Sequence, residues 1–182
     1  MVRANIRDRV HARSTIGRIA AFVAMFATLQ ALYGAASDTW VERLVIDVLT
    51  VEVAAALIDT IDPGSGVLPV GSRLTSPGGG INILNGCEGT DVAFLLTSAM
   101  LVAPLPFSRR VLGVFVGGAV VFVLNQARVI ALFYALRHDR AWFDTLHGVV
   151  TPLLLIMAAG VFFACWLDRF GNASRSNLPT VA

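Results

Sequence analysis

Four long apolar runs constrain this chain more than any other feature. They cover residues 16–36, 91–107, 111–136 and 148–167, and charged or polar residues bound each of them. A run of about 20 apolar residues is long enough for a helix to cross the hydrocarbon of a bilayer. The composition agrees. Of 182 residues, 56% are hydrophobic and only 14% charged, with a mean hydropathy of +0.73. A water-soluble domain is nearer a quarter charged. The expected fold class is therefore an all-α integral membrane protein, built as a single membrane domain. It should have about four transmembrane helices, an extracytoplasmic interfacial helix and a short β-hairpin-like segment.

Taken in order, residues 1–15 form a basic leader, with Arg3, Arg7, Arg9 and Arg13 against the single acid Asp8, and Arg18 follows. Residues 16–36 make the first span. Gly34-Ala35-Ala36-Ser37 also has the small residues of a signal-cleavage site, but the run is longer than a usual signal core, which favours retention as a helix. Residues 38–90 are read as an extracytoplasmic segment. Within it, residues 40–61 are apolar but carry Glu42, Arg43, Asp47, Glu52 and Asp59. A charge at the bilayer centre costs a few kcal/mol, so this stretch is expected to lie on the outer surface with Trp40 at the headgroups. Asp62-Pro63-Gly64-Ser65-Gly66 breaks it. Residues 67–75 and 81–84 read as two short strands joined by Ser76-Pro77-Gly78-Gly79-Gly80, with an irregular loop as the alternative. Spans at 91–107, 111–136 and 148–167 follow. Arg109-Arg110 ends the first of these, a turn at Arg137-His138-Asp139-Arg140 ends the second, and Trp142 and Phe143 anchor the interface. The tail, residues 171–182, is polar.

Every basic residue except the histidines is arginine, and the arginines set the orientation. With the N-terminus cytoplasmic, the inner segments hold the leader arginines, Arg109, Arg110, Arg169 and Arg175. The outer loops hold most of the acids. The expected location is a bacterial inner membrane, multi-pass. Cys87 and Cys165 are too sparse for a disulfide framework, and Cys165 is expected to be a small buried hydrophobe. His11, His138 and His147 are scattered, and nothing resembles a metal site, a phosphate loop or a nucleic-acid motif. No cofactor is expected. The lipid bilayer is the expected surrounding partner.

The chemistry-bearing residues gather at one depth. Cys87 sits in the turn-prone Asn85-Gly86-Cys87-Glu88-Gly89, at the outer mouth of the second span. Arg128 lies 17 residues into the third, about 25 Å along its axis at 1.5 Å per residue. His147 opens the fourth at its outer end. A thiolate needs a basic or cationic neighbour to form at neutral pH. His147 is able to take the thiol proton and return it to a leaving amine. Arg128 presents a planar fork of donors suited to an oxyanion or a substrate carbonyl. Asn125, on the same helix face, is placed to bond Arg128 or the substrate, and Gly86 and Gly89 support the turn. Each residue has a plainer role open to it. Cys87 can be a small apolar side chain, Arg128 can snorkel to headgroups and His147 can be an interface residue. Glu88 and Asp91 oppose the chemistry, because acids beside a thiol raise its pKa.

These residues lie in three blocks, NGCEGTDVAFLL around Cys87, NQARVIALFY around Arg128 and FDTLHGVVTPLL around His147. In order, spacing and placement on successive helix ends, the blocks resemble the exosortase/archaeosortase family of membrane transpeptidases. The resemblance covers roughly residues 67–167, and the short chain is similar to compact members such as the exosortase H type. It implies a cysteine transpeptidase or endopeptidase with Cys87 as nucleophile, Arg128 as oxyanion or substrate clamp and His147 as acid/base, facing the extracytoplasmic side. It implies membrane-anchored protein substrates with a C-terminal sorting signal, as in PEP-CTERM proteins: a short motif, a transmembrane helix and a basic tail. The product would pass through a thioester to an acceptor that the residues do not identify. The family often has a small or amide residue after the cysteine, where this chain has Glu88.

Two other classes fit the same composition. A small transporter would use Arg128 to line a solute path and would tolerate Cys87→Ser. A non-catalytic assembly subunit would tolerate conservative changes at Cys87, Arg128 and His147 alike.

Overall fold

The structure, a computed structural model, describes residues 2–77, 79–84 and 86–171, with side chains in the first helix from residue 15 onward. Asn85 and all but Gly171 of the expected tail lie outside the described residues. Helix α1 spans Val2–Ala35. The segment after it is helical in three parts, α2 (Trp40–Arg43), a π-helical stretch at Leu44–Glu52 and α3 (Val53–Ile61). Three short strands follow, β1 (Leu68–Val70), β2 (Arg73–Thr75) and β3 (Ile81–Asn82). The rest is α4 (Thr90–Val102), α5 (Phe107–His138), α6 (Arg140–Thr145), a π-helical stretch at Leu146–Val150 and α7 (Thr151–Gly171).

Among the described residues, three helices are long and apolar enough to cross a membrane: Thr15–Ala35, Phe107–His138 and Arg140–Gly171. The expected span at 91–107 is shorter than read. Helix α4 has 13 residues, about 20 Å of rise against a hydrocarbon thickness of about 30 Å. Its stop lies in the sequence. Pro104 disfavours a helical residue before it, and Ala103 is extended, at φ −60° and ψ 147°. Arg110 completes the end. Its Nε donates to the Leu105 carbonyl at 2.7 Å and its Nη1 to that of Leu101 at 2.8 Å. The helix end thus has a cationic side chain on carbonyls that lack an intrahelical partner.

Helix α5 is the centre of the bundle. Gly113, Gly117, Val121, Asn125, Val129 and Leu132 run down its buried side at intervals of three or four residues. The glycines let neighbours approach. A Cβ on Gly113 would stand 2.8 Å from Trp166 Nε1 and 2.9 Å from Met100 Sδ. One on Gly117 would stand 2.7 Å from Leu96 Cδ2 and 2.8 Å from Phe162 Cε1. This half of α5 therefore packs directly on α4 and α7, with Leu96, Met100, Val121, Leu155 and Ala159 as the core.

The other half of α5 carries the segment 40–84. Ile46, Val51, Ala54, Ala55 and Ile58 pack with Leu74, Ile81 and Ile83 against Val129, Leu132 and Phe133. The helical stretch expected on the membrane surface thus buries one face against protein, while Trp40, Val48 and Leu57 remain exposed. Gln126 ties the two parts together, donating from Nε2 to the Leu49 carbonyl at 2.8 Å. The sheet also differs from the two-strand expectation. Residues 67–75 form a hairpin of their own, turning at Gly71 with φ +54°. β2 pairs antiparallel with β1 and β3 in the order β1-β2-β3. Cys165 is exposed on α7 rather than buried. An exposed thiol on a helix apolar enough to cross a membrane fits a lipid-facing position.

Candidate active site

Cys87 is held by a turn that only certain residues allow. Gly86 and Gly89 flank the cysteine and its neighbour at φ +93° and +83°, a backbone region that L side chains rarely enter. Gly89 is also pressed against α5. A Cβ there would stand 2.9 Å from Asn125 Cγ. The contact is polar as well: Asn125 Nδ2 donates to the Glu88 carbonyl at 2.9 Å. Asn125 is 2% exposed, so that bond is formed away from water, where an unpaired amide is expensive. The sequence placed Asn125 beside Arg128 or the substrate; the structure gives its Nδ2 to the cysteine turn.

His147 reaches the thiol from a different helix. The Cys87 Sγ and His147 Nε2 atoms are 3.9 Å apart across 60 residues of sequence. His147 belongs to the π-helical stretch at Leu146–Val150, and Thr151 Oγ1 donates to the Leu146 carbonyl at 2.8 Å. Widened turns of this kind re-aim side chains and recur at functional sites. The Phe143 ring stacks on the imidazole at 5.4 Å between centroids and 4° between planes. His147 Nδ1 is buried without a hydrogen-bond partner among the described residues.

Arg128 completes the group. It is 9% exposed, and its Nε is buried with no hydrogen-bond partner among the described residues. Its charge acts on Cys87. Burial pushes the thiol above its ordinary pKa, Arg128 opposes that most strongly, and Glu88 and Asp91 add to the rise. Burial disfavours the thiolate and a nearby cation favours it. The net rise means that the resting group is the thiol, so a base must remove its proton, and His147 is the imidazole in reach.

Each of the two acids has a hydrogen-bond donor outside the Cys87–His147 pair. Glu88 is buried and accepts from Thr90 Oγ1 at 2.7 Å. Asp91 accepts from Gln30 Nε2 of α1 at 2.8 Å. The Tyr33 hydroxyl approaches the Glu88 carboxylate from α1 without completing a hydrogen bond of normal geometry. Its ring meets Phe94 edge-on at 5.7 Å. Sequence reading missed Gln30, Tyr33, Thr90 and Phe143 as neighbours of the site. Gln30 carried the one available signal, as an amide inside an apolar run. The three blocks at 87, 128 and 147 do converge, and their supports Asn125, Gly86 and Gly89 lie where the turn needs them. Searches of protein-family models, curated proteins and solved structures find no match to the chain.

Proposed function

We propose that this chain is a membrane cysteine transpeptidase or endopeptidase of the exosortase/archaeosortase kind. It cleaves a membrane-anchored substrate at a C-terminal sorting signal and passes the product to an acceptor. One observation carries the reading: the thiol of Cys87 stands 3.9 Å from the Nε2 of His147. A nucleophile, a base and a fixed cation is the set that acyl transfer requires.

In the proposed cycle, His147 Nε2 takes the Cys87 proton and the thiolate attacks a substrate carbonyl carbon. Arg128 stabilises the oxyanion that forms. The tetrahedral species collapses, the C–N bond breaks, and the imidazolium gives its proton to the leaving amine. A thioester remains on Cys87. The nucleophile of the acceptor, or water, then attacks it and releases the thiol. In this reading the protein lies in a bacterial inner membrane. α1, α5 and the α6–α7 helix cross it, α4 enters part of the way, and residues 38–90 with the site face outward. The arginine distribution supports that orientation.

The discriminating experiment is Arg128→Lys. Lysine snorkels as well as arginine but lacks the planar fork. Loss of one oxyanion donor lowers the rate by roughly 10²–10³ in a well-studied protease. The Lys variant should insert and accumulate normally while processing substrate slower by that order. Processing near the wild-type rate would reduce Arg128 to an anchor.

A further inference from the structure

Two carboxylates stand close to the nucleophile in the chain, Glu88 beside it and Asp91 in the first turn of α4. Both act on the sulfur of Cys87, as Arg128 does with the opposite sign. An unrestrained carboxylate there would be drawn to Arg128, because opposite charges attract strongly where water is scarce. The hydrogen bonds the two acids accept come from other groups. Glu88 Oε1 accepts from Thr90 Oγ1 at 2.7 Å, and its buried Oε2 has no hydrogen-bond partner among the described residues. Asp91 Oδ1 accepts from Gln30 Nε2 at 2.8 Å, and its Oδ2 lies 3.8 Å from where a Cβ on Gly86 would stand. Asp91 therefore touches both α1 and the turn that carries the thiol.

Helix α1 packs on α4, and no residue from Thr15 to Ala35 is fully buried. Its partly buried positions Phe22, Met25, Phe26, Leu29, Gln30 and Tyr33 fall on one stripe with helical spacing. The stripe is apolar until it reaches the level of the Cys87 turn. There it presents the amide of Gln30 to Asp91 and the hydroxyl of Tyr33 to Glu88, while the Tyr33 ring meets Phe94 of α4 edge-on at 5.7 Å. We infer that Gln30 and Tyr33 are positioning residues for the nucleophile: from α1 they hold the carboxylates of Asp91 and Glu88, which leaves the charge of Arg128 to the sulfur and to the oxyanion. The catalytic meaning rests on the transpeptidase reading; the restraint on the acids does not. The charged and titratable groups that act on the sulfur are His147 from the π-helical stretch, Arg128 from α5, Glu88 from its own turn and Asp91 from α4. α1 acts on it only through the two acids.

The test is the pH profile of Cys87 alkylation by a water-soluble maleimide. It uses the full chain in vesicles of phosphatidylethanolamine and phosphatidylglycerol, with Cys165→Ala so that Cys87 is the only thiol. Gln30→Leu removes the amide and keeps its bulk. Tyr33→Phe removes the hydroxyl and keeps the ring on Phe94. A released carboxylate moves onto Arg128 or toward the sulfur, and either move disfavours the thiolate. Each variant should therefore react several-fold more slowly at neutral pH and reach the same limiting rate at high pH. Adding Asp91→Asn to Gln30→Leu, or Glu88→Gln to Tyr33→Phe, should return the rate to that of the acid variant alone, because the restrained charge is gone. A packing role gives no such rescue. Wild-type profiles in both α1 variants would overturn the inference. Slowing that persists after the acids are neutralised would overturn it as well and make Gln30 and Tyr33 packing residues. Substrate processing in native membranes is read separately. The alkylation pattern in a chain that processes nothing supports the restraint and counts against the transpeptidase.

Discussion

At the scale of single residues, the thiol of Cys87 is subject to opposed forces whose balance is measurable. Burial and the charges of Glu88 and Asp91 raise its pKa, and Arg128 lowers it. Its alkylation by a water-soluble maleimide should therefore keep rising with pH beyond the ordinary thiol value of about 8.5. Removing the cation in Arg128→Gln should slow the reaction at a fixed pH. Removing the neighbouring charge in Glu88→Gln should speed it. A rate already level below neutral pH would mean that Cys87 is a thiolate at rest and has no need of His147. Gly89 makes a second prediction. Its φ of +83° is strained for any residue with a Cβ, and the new atom would press on Asn125. A non-glycine residue held in that region costs about 1–3 kcal/mol. Gly89→Ala should displace the turn and remove most processing while the protein still accumulates. Equal processing by the variant would show that the turn has no part in aiming the sulfur.

At the scale of elements, the π-helical stretch at Leu146–Val150 explains how His147 meets Cys87. The hydroxyl of Thr151 bonds the carbonyl five residues back, so Thr151→Val removes a bond with a net worth of about 1 kcal/mol at the turn that aims the imidazole. Processing should fall more than abundance does, measured as turnover per inserted molecule. A parallel fall in both would make Thr151 a packing residue only. The helices themselves were legible in the sequence because length and hydropathy determine them. The end of α4 was overestimated for a physical reason. The apolar run continues through Ala103-Pro104-Leu105-Pro106, and hydropathy is blind to the backbone constraint that the prolines impose. The π-helical turns and the hairpin at Gly71 were not legible. They lie in packing between parts of the chain distant in sequence, as in the bond from Gln126 to Leu49, and no local pattern announces a contact between residues 77 apart.

At the scale of the whole molecule, α5 joins two cores. Its glycine half packs on α4 and α7, and its other half carries the sheet and the segment 40–61. The site lies where these meet, so Cys87, Arg128 and His147 arrive from three separate parts of the chain. The sequence anticipated the meeting by assigning the three to one depth from the lengths of the apolar runs and the placement of the arginines. The contacts that come from α1 were not legible. Gln30 and Tyr33 come from α1, where the amide of Gln30 inside an apolar run signals a partner but does not identify Asp91 or Glu88. The central claim is that Cys87 carries the acyl group, and mass spectrometry of the chain taken from its native membranes after rapid acid quenching tests it most directly. The account predicts a peptidyl adduct on the Cys87 fragment, absent from the Cys165 fragment, released by neutral hydroxylamine and lost in Cys87→Ala together with substrate processing. Processing at the wild-type rate by Cys87→Ala, or an adduct that survives this substitution, would contradict it.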